Sequence, residues 1–371
     1  MRVKYRSSCK TSVLQEQPLK IARFTARRAR NCIASAKLTE FCKRLYIYVF
    51  FIFCASCASN QFFNNESPWI DLGSISYGAD PNQYIEITAP RNKNQNVNVI
   101  FYIHGYGNKM VDLTFLEKYR EEYIIGKLDY RYLTPARPEL SMDELLSDVH
   151  SGLETLRNTV EMNGIKPDRV IMIGNSLGST LTLMYSYTFQ DTSPIPVAFC
   201  VTMAGLTDMT DAMNIHFIKR PASLIIRNYM LSIISILSST KISLNDISGL
   251  GFSDTVFEAL KKYSVIYKVN GSVPPTIILH DTNDKMVPFS NSVSLNHVLN
   301  TYNIPHIFIQ STTNSGHELG VNIKNRNGRV FAPANARFPV STPRRYTRKL
   351  HPLLEEKLVE AIDQYIAVFC S

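Results

Sequence analysis

The chain has 371 residues, 45% hydrophobic, 11% aromatic and 19% charged, with 16 Gly and 18 Pro; this balance excludes collagen-like, low-complexity and disordered chains and supplies a sizeable core. The net charge of +9 sits at one end, because residues 1–44 hold 12 Lys and Arg against Glu16 and Glu40, leaving 28 basic and 29 acidic residues for the rest. A near-neutral body gives little reason to expect the clustered basic surface that a phosphate backbone needs, so a nucleic-acid partner is disfavoured.

After the basic leader comes the uncharged run Leu45-Tyr-Ile-Tyr-Val-Phe-Phe-Ile-Phe-Cys54, then Ala55-Ser56-Cys57-Ala58. Ten apolar residues are too few to span a bilayer, which needs about 20. A charged segment, a short apolar stretch and small residues have the layout of an export signal. The small-small-Cys ending resembles a bacterial lipobox with Cys57 as the lipidated residue, although Cys54 stands where Leu is usual. An Arg-rich transit peptide or an N-terminal membrane anchor fits the same charge bias. Residues 1–58 are therefore expected to be an export signal or anchor, placing the protein at the cell envelope, with 59–69 a linker and 70–371 one folded domain. Five of seven cysteines fall in the leader; Cys200 and Cys370 remain, with no CxxC or His partner at metal-ligand spacing. No disulfide framework and no zinc site are expected.

Tyr84-Ile-Glu-Ile-Thr88 alternates as a half-buried strand does, and the turn-rich Pro90 to Asn96 then predicts a hairpin into Val97-Asn-Val-Ile-Phe-Tyr-Ile103. The second of these ends in a continuous apolar run, as in a strand covered on both faces. Tyr123–Asp129 is a weaker strand. Met142–Val160 is a helix, with Leu145, Leu146, Val149, Leu153 and Leu156 at helical spacing and Ser141 as N-cap. Arg169–Ile173 is a short buried strand, followed by a tight turn and a helix over Ser179–Phe189. Further strands are predicted at Val197–Met203, Thr276–Leu279 and His306–Ile309, with helices around Asn291–Asn300 and Leu353–Val368. Residues 211–262 interrupt with a long apolar insert that predicts a helical cap. The alternation implies an α/β fold with a mostly parallel central sheet and helices on both faces.

Gly174-Asn-Ser-Leu-Gly178 fits G-x-S-x-G, and its place between a buried strand and a helix is where such a turn holds a serine hydroxyl above a sheet. Ser176 is the candidate nucleophile. A serine hydroxyl needs a base in hydrogen-bond reach, and the base needs an acid to orient it. Both should follow in the order acid, then histidine. Asp284, before Met286-Val-Pro288, is the candidate acid, with Asp281 its rival; His317 in Ser315-Gly-His317 is the candidate base. The oxyanion needs two preorganised N–H donors. Leu177 supplies one, and Tyr106 in His104-Gly-Tyr-Gly107 the other, with Gly107 allowing close approach and His104 structural.

Taken in order, Tyr102-Ile-His-Gly105, Asp129-Tyr-Arg131, Pro167-Asp-Arg-Val170, the serine turn, Leu206-Thr-Asp208, His280–Pro288 and Ser315-Gly-His317 resemble the α/β-hydrolase superfamily over positions 83–320. The resemblance is closest to the esterase/lipase branch with its feruloyl-esterase-like and hormone-sensitive-lipase-like enzymes. It implies the α/β-hydrolase fold and ester hydrolysis through an acyl-enzyme. The chain departs from the branch at Tyr106, where His-Gly-Gly-Gly is usual, and at Asn175, where Asp or His is usual.

The leading expectation is a carboxylic-ester hydrolase acting on a small-molecule ester. The apolar cap favours a hydrophobic acyl or aryl group. An exported peptidase or amide hydrolase on the same triad is the alternative, and an inactive binding scaffold a lesser one. With no GxGxxG after a strand, no Walker loop and no HExxH, no cofactor and no metal are expected.

Overall fold

The structure, a computed structural model, describes residues 67–91, 96–106, 113–131, 140–219, 224–249, 251–321 and 349–370. The leader, the short apolar run, Cys57 and Gly107 lie outside the described residues. Among the described residues no helix is long and apolar enough to cross a membrane.

Eight strands form the central sheet: β1 (Trp69–Ser76), β2 (Tyr84–Pro90), β3 (Asn96–Ile103), β4 (Ile124–Leu128), β5 (Lys166–Asn175), β6 (Val197–Met203), β9 (Thr276–Asp281) and β10 (His306–Ser311). Two short strands of the insert, β7 (Ile247–Ser248) and β8 (Gly251–Phe252), form a separate hairpin. The sheet order is β1-β2-β4-β3-β5-β6-β9-β10. Pairing is antiparallel from β1 through β2 to β4 and parallel from β4 onward.

Alternation along the strands divides the core into two layers. Val97, Val99, Phe101 and Ile103 of β3 and Val170 and Met172 of β5 point to one face. Ile100 and Tyr102 of β3 and Ile171 and Ile173 of β5 point to the other. Each such Val, Ile or Phe removed from water contributes about 1.5–3 kcal/mol, which makes these central strands the anchor of the fold. The first face is covered by α1 (Met142–Met162), α2 (Leu177–Thr188) and α6 (Ser290–Thr301). The second is covered by α7 (Pro352–Phe369) and the 3-10 turn Thr114–Tyr119.

Helix α1 begins where a capping box closes it. Ser141 Oγ accepts from Glu144 N, and the Glu144 carboxylate accepts from Ser141 N at 2.8 Å. Its Leu145, Val149, Leu153, Leu156 and Val160 recur at three- and four-residue steps, and all are fully buried.

One expectation needs correction. β2 does not form a hairpin with β3; it pairs with β1 and β4, for instance Ile85 opposite Leu128, and β4 lies between them. β3, apolar on both faces, takes parallel neighbours on both sides, and β4 returns to its edge after the 3-10 turn. The unpredicted β1 is the real hairpin partner of β2. Its alternation is broken by Gly73, which sits at a register shift with φ +83°, its N–H donating to the Asp71 carboxylate.

The insert 211–262 holds α3 (Ala212–Lys219), α4 (Leu224–Leu237) and α5 (Asp254–Tyr263), but also the β7–β8 hairpin, so it is not wholly helical. A further short pair, β11 (Gly320–Val321) with β12 (Lys349–Leu350), leads into α7.

Candidate active site

The loops leaving the carboxyl ends of β3, β5, β9 and β10 carry Tyr106, Ser176, Asp284 and His317 respectively. This is the edge of a parallel sheet at which α/β folds gather their ligands.

Ser176 occupies the turn between β5 and α2 with φ 52° and ψ −122°, a backbone conformation that side chains rarely adopt. Its N–H donates to Met203 O at 2.8 Å. The flanking glycines are required by contact. A Cβ on Gly174 would lie 2.3 Å from Gly178 O, and one on Gly178 would lie 2.1 Å from Ile103 O. Ser179 ties the turn to both strands: its hydroxyl donates to Gly174 O at 2.6 Å and accepts from Met203 N at 2.9 Å.

Ser176, His317 and Asp284 meet. His317 Nε2 lies 2.8 Å from Ser176 Oγ, and His317 Nδ1 lies 2.7 Å from Asp284 Oδ2. The Asp284 side chain is fully buried and that of His317 is 13% exposed, so the acid is shielded while the imidazole borders solvent. Burial pushes the Asp284 carboxyl up, but the facing His317 and hydrogen bonds from His280 and His317 outweigh it and hold the group well below the ordinary carboxylate range. An ionised Asp284 fixes the imidazole tautomer: Nδ1 carries the proton and donates to the carboxylate, leaving the Nε2 lone pair to accept the Ser176 O–H.

Asp281, the rival acid, does not reach His317. Its Oδ2 accepts from Ser311 Oγ at 2.7 Å and Ser315 N at 3.1 Å. It braces the loop that delivers His317 instead. The cause is register: Asp281 is the last residue of β9 and pairs with Ser311 of β10, which aims it at the neighbouring strand's loop.

Leu177 is the first residue of α2, where N–H groups lack intrahelical partners and the helix dipole favours negative charge. Tyr106 follows Gly105, at which a Cβ would lie 3.1 Å from Ser176 Cβ, so this loop presses against the serine turn. Tyr106 packs half-buried on the core, and burial raises its phenol. His104 is structural in its contacts: Nε2 faces Asp129 Oδ1 at 3.0 Å, and its ring stacks on Tyr130. Cys200 is buried on β6, where burial pushes its thiol up to about 12 and leaves no usable thiolate.

The sequence reading missed two positions that contact the candidate site. Asn175 Oδ1 accepts from Tyr102 O–H at 2.6 Å and from Gly105 N–H at 3.0 Å, clamping the loop after β3 to the serine turn. Its place beside Ser176 was the available signal, and it appeared only as a departure from a family pattern. His280, at the end of β9, contacts the same Asp284 oxygen as His317. Among the described residues no group of three or more His, Cys, Asp or Glu is placed to hold a metal ion.

Residues 85–299 match the BD-FAE family, a stretch that includes Ser176 and Asp284 and ends before His317. By sequence, no curated protein matches the chain. Among solved structures, esterase B from Lactobacillus rhamnosis superposes with a TM-score of 0.55 at 14% identity, covering 86% of this chain and 93% of that one. A form of that esterase inhibited by a C4-C4 tributyrin phosphonate gives 0.53 at 14% identity, over 86% and 94%. A sugar hydrolase from Lactococcus lactis gives 0.51 at 17% identity, over 80% and 98%. At these identities the structures share the α/β-hydrolase fold with this chain.

Proposed function

Since the chain belongs to the BD-FAE family of α/β-hydrolases, we propose that it is a carboxylic-ester hydrolase working through a Ser176–His317–Asp284 triad and an acyl-enzyme. The observation that carries this reading is the continuous contact from Ser176 Oγ through His317 to Asp284, at 2.8 and 2.7 Å. Those distances lie within the reach that proton transfer requires.

In the proposed reaction Ser176 Oγ attacks the ester carbonyl carbon while its proton passes to His317 Nε2. Asp284 stays ionised and stabilises the imidazolium through the Nδ1–H bond. The carbonyl oxygen takes up the negative charge and is held by the backbone N–H groups of Leu177 and Tyr106. The carbon–alkoxy bond then breaks, His317 gives its proton to the leaving alkoxide, and the alcohol departs. Water adds to the acyl-enzyme with His317 again as base, releasing the acid and restoring the Ser176 hydroxyl.

The apolar insert favours a hydrophobic acyl or aryl group on the substrate. The basic leader and the short apolar run before Cys57 support attachment at the cell envelope, which cell fractionation and N-terminal sequencing test.

Hydrolysis of short p-nitrophenyl esters by the natural sequence and by Ser176→Ala tests the triad. The variant should lose several orders of magnitude in kcat, as removal of a nucleophile does. Undiminished turnover in Ser176→Ala ends the proposal. Paired ester and anilide substrates with one acyl group separate an esterase from an amide hydrolase; a preference for the anilide overturns the ester assignment.

A further inference from the structure

Asp284 is held by two imidazoles. Its Oδ2 receives His317 Nδ1 at 2.7 Å and His280 Nε2 at 3.1 Å, while its Oδ1 accepts the backbone N–H groups of Met286 at 2.7 Å and Val287 at 3.0 Å. Resting on the triad proposed above, we infer that His280 is a positioning residue for the reaction: it donates from Nε2 to the oxygen that orients His317 and so shares the carboxylate on which the catalytic imidazole depends.

The surroundings of His280 fix its tautomer. Nε2 faces two acceptors, Asp284 Oδ2 and Val287 O, the latter at 3.2 Å, so Nε2 carries a proton. Nδ1 lies 2.6 Å from the hydroxyl of Ser292, on the first turn of α6. A hydroxyl can donate where a carboxylate or carbonyl cannot, so Ser292 O–H supplies Nδ1 with its partner and leaves the neutral ring with its single proton aimed at Asp284. The ring is fully buried and meets Phe289 in a T-shaped contact at 5.6 Å between centroids, so both of its hydrogen-bonding nitrogens are shielded from bulk solvent.

An ionised carboxylate with a full set of donors is a weaker acceptor for each of them. Removing the His280 donor leaves Asp284 held by the Met286 and Val287 N–H groups, so it keeps its place, but its Oδ2 then bears on His317 alone. The undivided carboxylate then stabilises the imidazolium form of His317 more strongly. The groups that face His317 are Ser176 on the β5 turn and Asp284 on the β9 loop. Those facing Asp284 are His280 and His317, and the Asp281 carboxylate is taken up by Ser311, Thr313 and Ser315. Glu318, beside His317 in the chain, is the remaining acid of that loop and is common to every variant below.

The test is the pH dependence of kcat/KM for p-nitrophenyl butyrate, whose acid limb reports the essential base of the free enzyme. The natural sequence is compared with His280→Leu, His280→Gln and Ser292→Ala, each normalised to active sites titrated with a fluorophosphonate. His280→Leu should move the acid limb to higher pH and lower kcat about tenfold, with KM within about twofold. His280→Gln places an amide N–H where the imidazole Nε2 was and should restore the limb toward its original position. Ser292→Ala should move it in the same direction as His280→Leu by a smaller amount, and it decides the matter where the leucine variant fails to fold. An acid limb that stays in place or moves down, or a glutamine no better than leucine, overturns the inference while leaving the triad standing. Full activity in Ser176→Ala overturns both.

Discussion

Replacing Gly178 with alanine perturbs the point where the serine turn meets the end of β3. The added Cβ would lie 2.1 Å from Ile103 O, 2.5 Å from His104 O and 2.7 Å from Ile103 C, against the 3.4 Å at which ordinary contact begins. All three neighbours are backbone, so no side chain can swing away. Either β3 or the start of α2 must retreat by about 1 Å, a displacement that at a reacting centre costs roughly 10²-fold. The strain lands on His104 and Gly105, which lead into Tyr106, and on Ser176 itself. The expected result is a kcat about 10²-fold down and a stability loss of about 1–3 kcal/mol from overpacking. Turnover of p-nitrophenyl butyrate per titrated active site and a urea melt read the two quantities. Gly271→Ala is the control, since nothing lies within 4 Å of its Cβ. A Gly178→Ala enzyme with unchanged kcat and urea midpoint would refute the reasoning.

Three other perturbations have defined outcomes. Asp284→Asn keeps the shape but offers His317 Nδ1 the wrong partner, so kcat should fall by about 10⁴ with the fold retained; a loss under tenfold contradicts the tautomer argument. Asn175→Ala removes the acceptor shared by Tyr102 O–H and Gly105 N–H; kcat should drop with little change in KM, at a stability cost of about 1–3 kcal/mol for the stranded donors. At high pH the buried phenols of Tyr185 and Tyr365, each pushed up to about 12 by burial, resist ionisation in the folded chain. The unfolded phenols ionise near about 10, so this stabilisation is complete below that pH and is lost as pH rises from there toward about 12. Urea midpoints should be level near neutrality and decline above pH about 10; a level profile through that window removes the phenols from the account.

Where a strand is buried on both faces, its sequence alone marks it. β3 and β5 carry continuous apolar runs, and the serine turn between β5 and α2 is punctuated by two glycines that contact makes obligatory. Helix α1 was equally legible because its cap and its apolar spacing agree. β1 was not, because an edge strand buries little and Gly73 breaks its period. The hairpin expected between β2 and β3 failed for a different reason: neighbours in sequence need not pair when a later strand, here β4, fits the same edge. At the site, Ser176, Asp284 and His317 could be ordered along the chain from the chemistry of their motifs. Choosing Asp284 over Asp281 rests on register, which places Asp281 against the β10 loop. Asn175 and His280 act through contacts across 70 residues of chain or within a buried turn, and composition carries no trace of either.

The most direct test of the central claim is to locate a covalent adduct. A phosphonate ester that mimics the tetrahedral intermediate should label the folded protein once per chain, on the peptide that contains Ser176. Labelling should slow by orders of magnitude in His317→Ala, which removes the base. An adduct on another residue, or equal labelling rates with and without His317, would contradict a serine activated by that imidazole.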